Sequence, residues 1–338
     1  MFEWTCPGRG GARVTAALRR RLVAALKLAL GLAALAAVLW WLVPGPDEAQ
    51  AVWARAELRP GWLLAGLGFT FVACVVTSAR WKRMAEAMGG TRLPHVAYFH
   101  SLALTKVLGQ VSSTLVMDLV GRGVALRAAG SQRGLGHAIT QAVLERIFDL
   151  VLPLMLLAWA LAVWWGGLGG AAALASFAAV CGLFVALSGV MLAPLTGLAL
   201  RVYAALGRAR ARLAGGAEVA ALEVPAVERR VALDIALLGL ARYLAVLGQF
   251  WAVAAAVGAD IALEAMAGAT PIGQLSGMLG VTPGALGIQE AGWAGALRWV
   301  GVSAETIALF VLSQRLVITA YFAVLALGSR FLLGRRAA

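Results

Sequence analysis

The sequence predicts an all-α, polytopic integral membrane bundle, and three observations carry that prediction. Of the 338 residues, 62% are hydrophobic and only 13% charged, and the apolar residues fall in long blocks, which a water-soluble core does not need. Several blocks reach the roughly 20 residues that a helix needs to cross about 30 Å of hydrocarbon. Period-two alternation is missing, which excludes a closed barrel, the other architecture that satisfies every backbone polar group in lipid.

In chain order, Arg9, Arg13, Arg19, Arg20 and Arg21 precede an apolar run over 22–43. That run is too long for the apolar part of a secretory signal and ends in Trp40, Trp41 and Pro44 rather than at a small-residue cleavage site. It is therefore read as a retained anchor with interfacial Trp residues. Further spans are expected at 61–79, 138–165, 171–194, 231–257 and 305–333, giving about six full crossings. Regions 95–136 and 263–300 are apolar but interrupted by Gly, Pro, Ser, Thr and charges, the pattern of broken or re-entrant hairpins. Pairs of short crossing helices would preserve the same parity.

A single membrane domain over 1–338 follows. It has a basic segment 1–21, a first half 22–200 with the hairpin 95–136, a basic linker 201–230, and a second half 231–338 with the hairpin 263–300. The linker reads as a short amphipathic surface helix and a flexible turn at Gly215 and Gly216, with an affinity for anionic membrane lipids.

The formal charge of +13 is spread between the apolar blocks and not gathered in one basic domain, which argues against nucleic acid and for topology. Arg80, Lys82, Arg83 and Arg92 follow the second span, and Arg201, Arg208, Arg210, Arg212, Arg229 and Arg230 fill the linker. The opposite connections carry Asp47, Glu48, Glu57, Asp260 and Glu264. Both termini are thus expected in the cytoplasm of a cell with this chain in its inner (plasma) membrane. Cys6, Cys74 and Cys181 are isolated, and the two in apolar stretches are expected to pack as small hydrophobes.

The chemistry-bearing residues cluster. In Val281 to Trp293, Pro283 removes a backbone donor and Gly284 and Gly287 allow unusual dihedrals, so a helix must break and restart near Gln289 and Glu290. A broken helix inside a membrane offers free N–H groups to an anion, while Glu290 can equally serve as the cap of the new helix. In Gln110 to Arg122, Asp118 and Arg122 stand at i, i+4 and can form an ion pair, or Arg122 can leave to hold a lipid phosphate. Glu145 and Asp149 share a helix face, and adjacent Arg146 is expected to snorkel. Gln314 and Arg315 interrupt the last span about ten residues from its end, so Arg315 requires an intramembrane partner, Glu290 or Glu145. Lys106 and Arg242 are weaker candidates. His95, His100 and His137 lack metal-ligand spacing, and no nucleotide loop or nucleophile–base pair is evident. No metal, cofactor or catalytic role is expected.

Together Ala79-Arg80-Trp81-Lys82-Arg83, Gln110 through Arg122, Leu144-Glu145-Arg146-Ile147-Phe148-Asp149-Leu150, the Pro283 to Glu290 turn and Arg315 resemble the transmembrane region of the lysylphosphatidylglycerol synthase/flippase family. The chain looks like a stand-alone member without the soluble synthase domain. The family's first hairpin often carries Pro and paired Gly where this chain has Ser112, Val116 and Met117. The resemblance implies a translocator of aminoacylated phospholipids, polyprenyl-linked sugars or hopanoid-type lipids, with self-association into a homo-oligomer left open. On that reading Arg122, Arg146 and Arg315 contact phosphate, Glu145 and Glu290 contact cationic or hydroxylated parts, and Asp118, Gln289 and Gln314 line the route. Two other classes compete. One is an intramembrane lipid-modifying transferase with Glu290 or Asp118 as base, and the other a non-transporting scaffold for lipid-modifying enzymes.

Overall fold

The computed structural model describes residues 9–43, 45, 47, 50, 52, 54, 56–87, 92–112, 114–131, 135–213, 228–279 and 282–337. In chain order its longer helices are α1 (Arg9–Leu42), α2 (Pro60–Ala87), α3 (His95–Val111), α4 (Arg122–Ala128) and α5 (Leu135–Trp165). They continue with α6 (Gly170–Leu213), α7 (Arg229–Ala256), α8 (Leu263–Met278), α9 (Ile288–Trp299) and α10 (Ala304–Ala337). No strand occurs among the described residues.

Among the described residues, five windows are long and apolar enough to cross a membrane: Ala25–Leu42, Pro60–Ala87, Gly170–Ser188, Arg229–Ala256 and Ala304–Leu333. They coincide with five of the six expected spans. The sixth lies in α5, whose uncharged apolar part follows Asp149. At 1.5 Å per residue the 31 residues of α5 cover about 46 Å, so the helix can cross with Glu145, Arg146 and Asp149 turned into the bundle.

α2 and α7 form the most extensive helix pair. They run antiparallel. The backbone N–H of Arg59, just before α2, donates to the Ala256 carbonyl at the end of α7, whereas Arg83 near the other end of α2 pairs with Asp234 near the start of α7 at 3.0 Å. Their close approach needs Gly248, because a Cβ there would stand 2.6 Å from the Phe69 ring. Arg59 also bridges Glu57 and Asp260, at 3.1 and 2.7 Å. The acidic connections before α2 and after α7 therefore share one end of the bundle, and the basic ends of α2 and α7 share the other.

Each hairpin contains the expected break. α3 stops at Ser112, and the chain re-enters helix through Thr114–Val116 and a π-helical turn, Met117–Gly121, that runs into α4. α8 gives way to a 3-10 turn, Pro283–Ala285, before α9. The 16 residues of α8 and 12 of α9 span only about 24 and 18 Å, short of the hydrocarbon thickness. The two breaks meet: the Gly284 N–H donates to the Ser112 carbonyl at 2.7 Å. They meet beside Arg315, about 17 Å along α10 from Ala304. This is the geometry of hairpins that reach toward one another inside the bundle.

Three boundaries differ from the sequence reading. The described part of the basic segment, 9–21, is helical and continuous with the first span, and 1–8 lie outside the described residues. Residues 201–213 are not a separate surface helix but the end of α6, which continues through Pro194; 214–227, with Gly215 and Gly216, lie outside the described residues. Arg80, Lys82 and Arg83 belong to α2 and not to a loop, and Arg80 is buried. At the end of α2, Arg80 and Arg83 find partners on neighbouring helices, Asp149 and Asp234, and Lys82 pairs with Glu86 one turn on.

The core is centred on Trp293 of α9, which packs on Phe250 of α7 and Phe310 of α10 with ring centroids 4.6 and 5.3 Å away. Cys74 and Cys181 are buried in the apolar packing, as expected. Gly273 of α8 makes room for Trp293, since a Cβ there would stand 2.3 Å from the indole. Gly273→Ala should therefore overpack the site and cost about 1–3 kcal/mol. Gly268→Ala, where a Cβ finds its nearest neighbour at 3.6 Å, should be close to neutral. Denaturation midpoints of the two variants in micelles check this.

Candidate functional site

The site is built from three carboxylate centres. Asp118, in the π-helical turn, is the first. Lys106 of α3 reaches it at 3.4 Å, Arg122 of α4 at 3.1 Å, and Arg146 of α5 also binds it directly. Arg122 donates its other terminal nitrogen to Glu145 and lies 5.4 Å from the Trp81 ring centroid, a cation–π contact. The second centre is Asp149 of α5, held by Arg80 of α2 at 2.7 Å and Arg242 of α7 at 3.4 Å. Gly239 leaves space for the Arg80 guanidinium.

The third centre is Glu290. Its Oε2 accepts the Gly287 N–H at 2.7 Å, capping α9, and its Oε1 accepts Arg315 Nε at 2.8 Å. Arg315 Nη1 also donates to the Gln110 side chain and to the Gly284 carbonyl, at 3.3 and 3.0 Å. Glu290 thus caps α9 as the sequence allowed, and of the two partners expected for Arg315, Glu290 or Glu145, it is Glu290 that pairs. Arg315 clamps both hairpin breaks because it reaches the end of α3, the 3-10 turn and the start of α9 together.

These centres surround a cavity of about 180 Å³ within the bundle. Asp118, Arg122, Arg146, Gln289, Glu290, Gln314 and Arg315 all line it. Glu145 does not: it stands behind Arg122, 3% exposed. Arg146 does not snorkel to an interface, because Asp118 draws it inward. Arg122 is committed to two carboxylates, so the expected i, i+4 pair forms and the guanidinium reaches the cavity already partnered. Lys106 and Arg242, given less weight from sequence, also line the wall.

Sequence reasoning missed Arg80 and the pairing role of Asp149, along with Gln249 and Gln274, which also face the cavity. The shared face of Glu145 and Asp149 was the available signal, since two carboxylates on one buried helix face call for cations opposite. His95 and His100 are structural, bonding to Ser78 and Ser329 at 2.8 and 2.9 Å.

Six cations (Arg80, Lys106, Arg122, Arg146, Arg242 and Arg315) meet four carboxylates (Asp118, Glu145, Asp149 and Glu290) in and directly behind the wall, leaving two positive charges in surplus. Ions removed from water are retained only where opposite charge and hydrogen bonds offset the desolvation, and a surplus of one sign favours a ligand of the other. Arg146 and Met278 also border an apolar groove of about 550 Å³ between α5 and α8, lined by Leu150, Leu157, Ile272, Leu275 and Leu279 among others.

Removing one partner of a buried pair leaves an uncompensated charge, at a cost of about 3–5 kcal/mol. Glu290→Ala should destabilise by about that amount, and the double variant Glu290→Ala/Arg315→Met should recover a large part of it. A double-mutant cycle of unfolding in micelles checks this; additive losses would show that the pair is not coupled.

The family model described as the lysylphosphatidylglycerol synthase TM region matches residues 27–328. No curated protein matches the sequence. The match takes in α2 through α9, both hairpin breaks and all three carboxylate centres. The chain belongs to the lysylphosphatidylglycerol synthase TM-region family.

Proposed function

We propose that the protein moves a polar-headed lipid between bilayer leaflets without chemically altering it. Membership in the family ties the chain to membrane lipids. The observation that carries the finer reading is the cationic cavity sharing Arg146 and Met278 with an apolar groove. A lipid has the same division, with a charged head that requires polar partners and tails that require none. The two hairpin breaks bound the cavity and are joined through one backbone hydrogen bond and the Arg315 clamp. Exchange of these few polar contacts gives a route for changing the side to which the cavity opens. By the positive-inside rule, the end carrying Arg83, Arg229 and Arg230 faces the cytoplasm.

The geometry gives less support to the rivals. A scaffold needs its ions paired with no room for a headgroup, whereas here a cavity lies among them. A transferase needs an available base, yet both oxygens of Asp118 and of Glu290 are engaged by cations or a backbone N–H.

Purified protein in liposomes should speed the exposure of acyl-labelled phospholipid to an external quencher relative to empty liposomes. Arg146→Gln should slow crossing at least about tenfold, the equivalent of roughly 1.4 kcal/mol of barrier, while Arg83→Gln at the exposed end of α2 should leave the rate unchanged. Equal rates with and without protein, across anionic, zwitterionic and cationic lipids, would sink the reading.

A further inference from the structure

The cavity wall is chemically divided. Lys106, Asp118, Arg122, Arg146, Asp149 and Arg242 form a charged pole. The other end carries five glutamines from five helices, Gln110 of α3, Gln249 of α7, Gln274 of α8, Gln289 of α9 and Gln314 of α10, together with the Glu290–Arg315 ion pair, and Thr77 and Thr114 complete the polar lining. Arg242 precedes Gln249 by seven residues on α7, about 10 Å, and Lys106 precedes Gln110 by one turn on α3, about 6 Å. The poles are therefore stacked along the helix axes, with the charged pole nearer the basic ends of α2 and α7.

A glutamine amide both donates and accepts, so a set of five suits hydroxyl groups, which do the same; Gln110 Oε1 already accepts from Arg315 and Gln249 Nε2 donates to Thr70, and the other amide atom of each is left to the cavity. It is poorly suited to an ammonium, which only donates and requires a carboxylate in low dielectric. The carboxylates here are already engaged with cations, and positive charge is in surplus. Besides Arg315 Nη2, which stands 2.6 Å from Glu290 Oε1, three polar atoms of wall residues have no hydrogen-bond partner in the protein: Gln274 Nε2, Arg122 Nε and Thr114 Oγ1. Gln274 and Arg122 are each more than nine-tenths buried. Two of the three atoms are donors only and the third can donate, so the site is poised for oxygen acceptors.

We infer that the headgroup taken by this cavity is a phosphate ester of a neutral polyhydroxylated group, such as a polyol or sugar, and not the cationic aminoacyl phospholipid of the family's description. The inference rests on the lipid-transport reading for its ligand but is tested by binding and not by transport. The phosphate sits at the charged pole, and the hydroxyls extend toward the glutamines about 6–10 Å away.

Binding to purified protein in detergent is measured by native mass spectrometry with phosphatidylinositol, phosphatidic acid and lysylphosphatidylglycerol. Phosphatidylinositol should bind at least about tenfold more tightly than lysylphosphatidylglycerol, and more tightly than phosphatidic acid, which carries phosphate without a polyol. Gln274→Leu should weaken phosphatidylinositol more than phosphatidic acid, a pattern that general misfolding does not produce. Lysylphosphatidylglycerol binding as well as phosphatidylinositol overturns the inference. So does phosphatidic acid matching phosphatidylinositol, because the glutamines would then contribute nothing. Selective binding without any crossing in liposomes overturns the transport reading and leaves the headgroup assignment standing.

Discussion

The structure depends on the requirement that an ion sunk in low dielectric have opposite charge within reach. Asp118 meets that requirement for three cations at once, and they come from separate elements: Lys106 from α3, Arg122 from α4 and Arg146 from α5. Asp149 ties α5 to α2 and α7 in the same way, and Glu290 ties α9 to α10. In lipid, apolar side chains lose little by facing tails instead of other helices, so apolar burial alone discriminates weakly among helix arrangements. Ion pairs discriminate strongly, because each misplaced helix strands a charge.

The broken hairpins follow the same accounting for backbone groups. Ending a helix in hydrocarbon exposes N–H and C=O groups that water cannot reach. Here one break satisfies the other through Gly284 N–H to Ser112, and Arg315 takes the Gly284 carbonyl. Gly284, at φ 59°, could not be replaced without its Cβ standing 2.7 Å from both Arg315 Nη1 and the Gln110 carbonyl oxygen. Gly287, at φ 81°, lies against α1, where a Cβ would stand 2.4 Å from that of Ala34. The first helix thus seats the turn that carries Glu290. The π-helical turn at Met117–Gly121 has a comparable role on the other hairpin. Its wider winding places Asp118 between α3 and α5 while keeping Arg122 within 3.1 Å.

The spans and breaks were legible in the sequence because they depend on local composition: length of apolar run for one, Pro and Gly for the other. The Arg315–Glu290 pair was legible too, since depth in the last span demanded a partner and few carboxylates were available. Arg80 was misread because positive charge after an apolar run usually marks a loop, and nothing local shows that Asp149, 69 positions later, will hold it inside. Arg146 was misread for the same reason. Snorkelling is the default for an Arg near a helix end only when no buried carboxylate competes, and Asp118 lies 28 positions away. Gln249 and Gln274 escaped notice because an isolated Gln in an apolar helix carries no periodic signal, and their convergence with Gln110, Gln289 and Gln314 exists only once five helices are packed.

Under the proposed transport, pairing and surplus together would let the site hold a charged head without trapping it. Were the cations unpaired, a phosphate would bind with the full strength of a low-dielectric contact and release slowly. Were every cation matched by a carboxylate, the head would find no net attraction to offset its own desolvation. With four carboxylates among six cations, an incoming phosphate competes with Asp118 or Asp149 for guanidinium donors that already have a partner to return to. Each step then exchanges one ion contact for another, and the difference between them is small compared with either alone. In the proposed transport the carboxylates are as necessary as the arginines, because they hold the cations in place when no lipid is there.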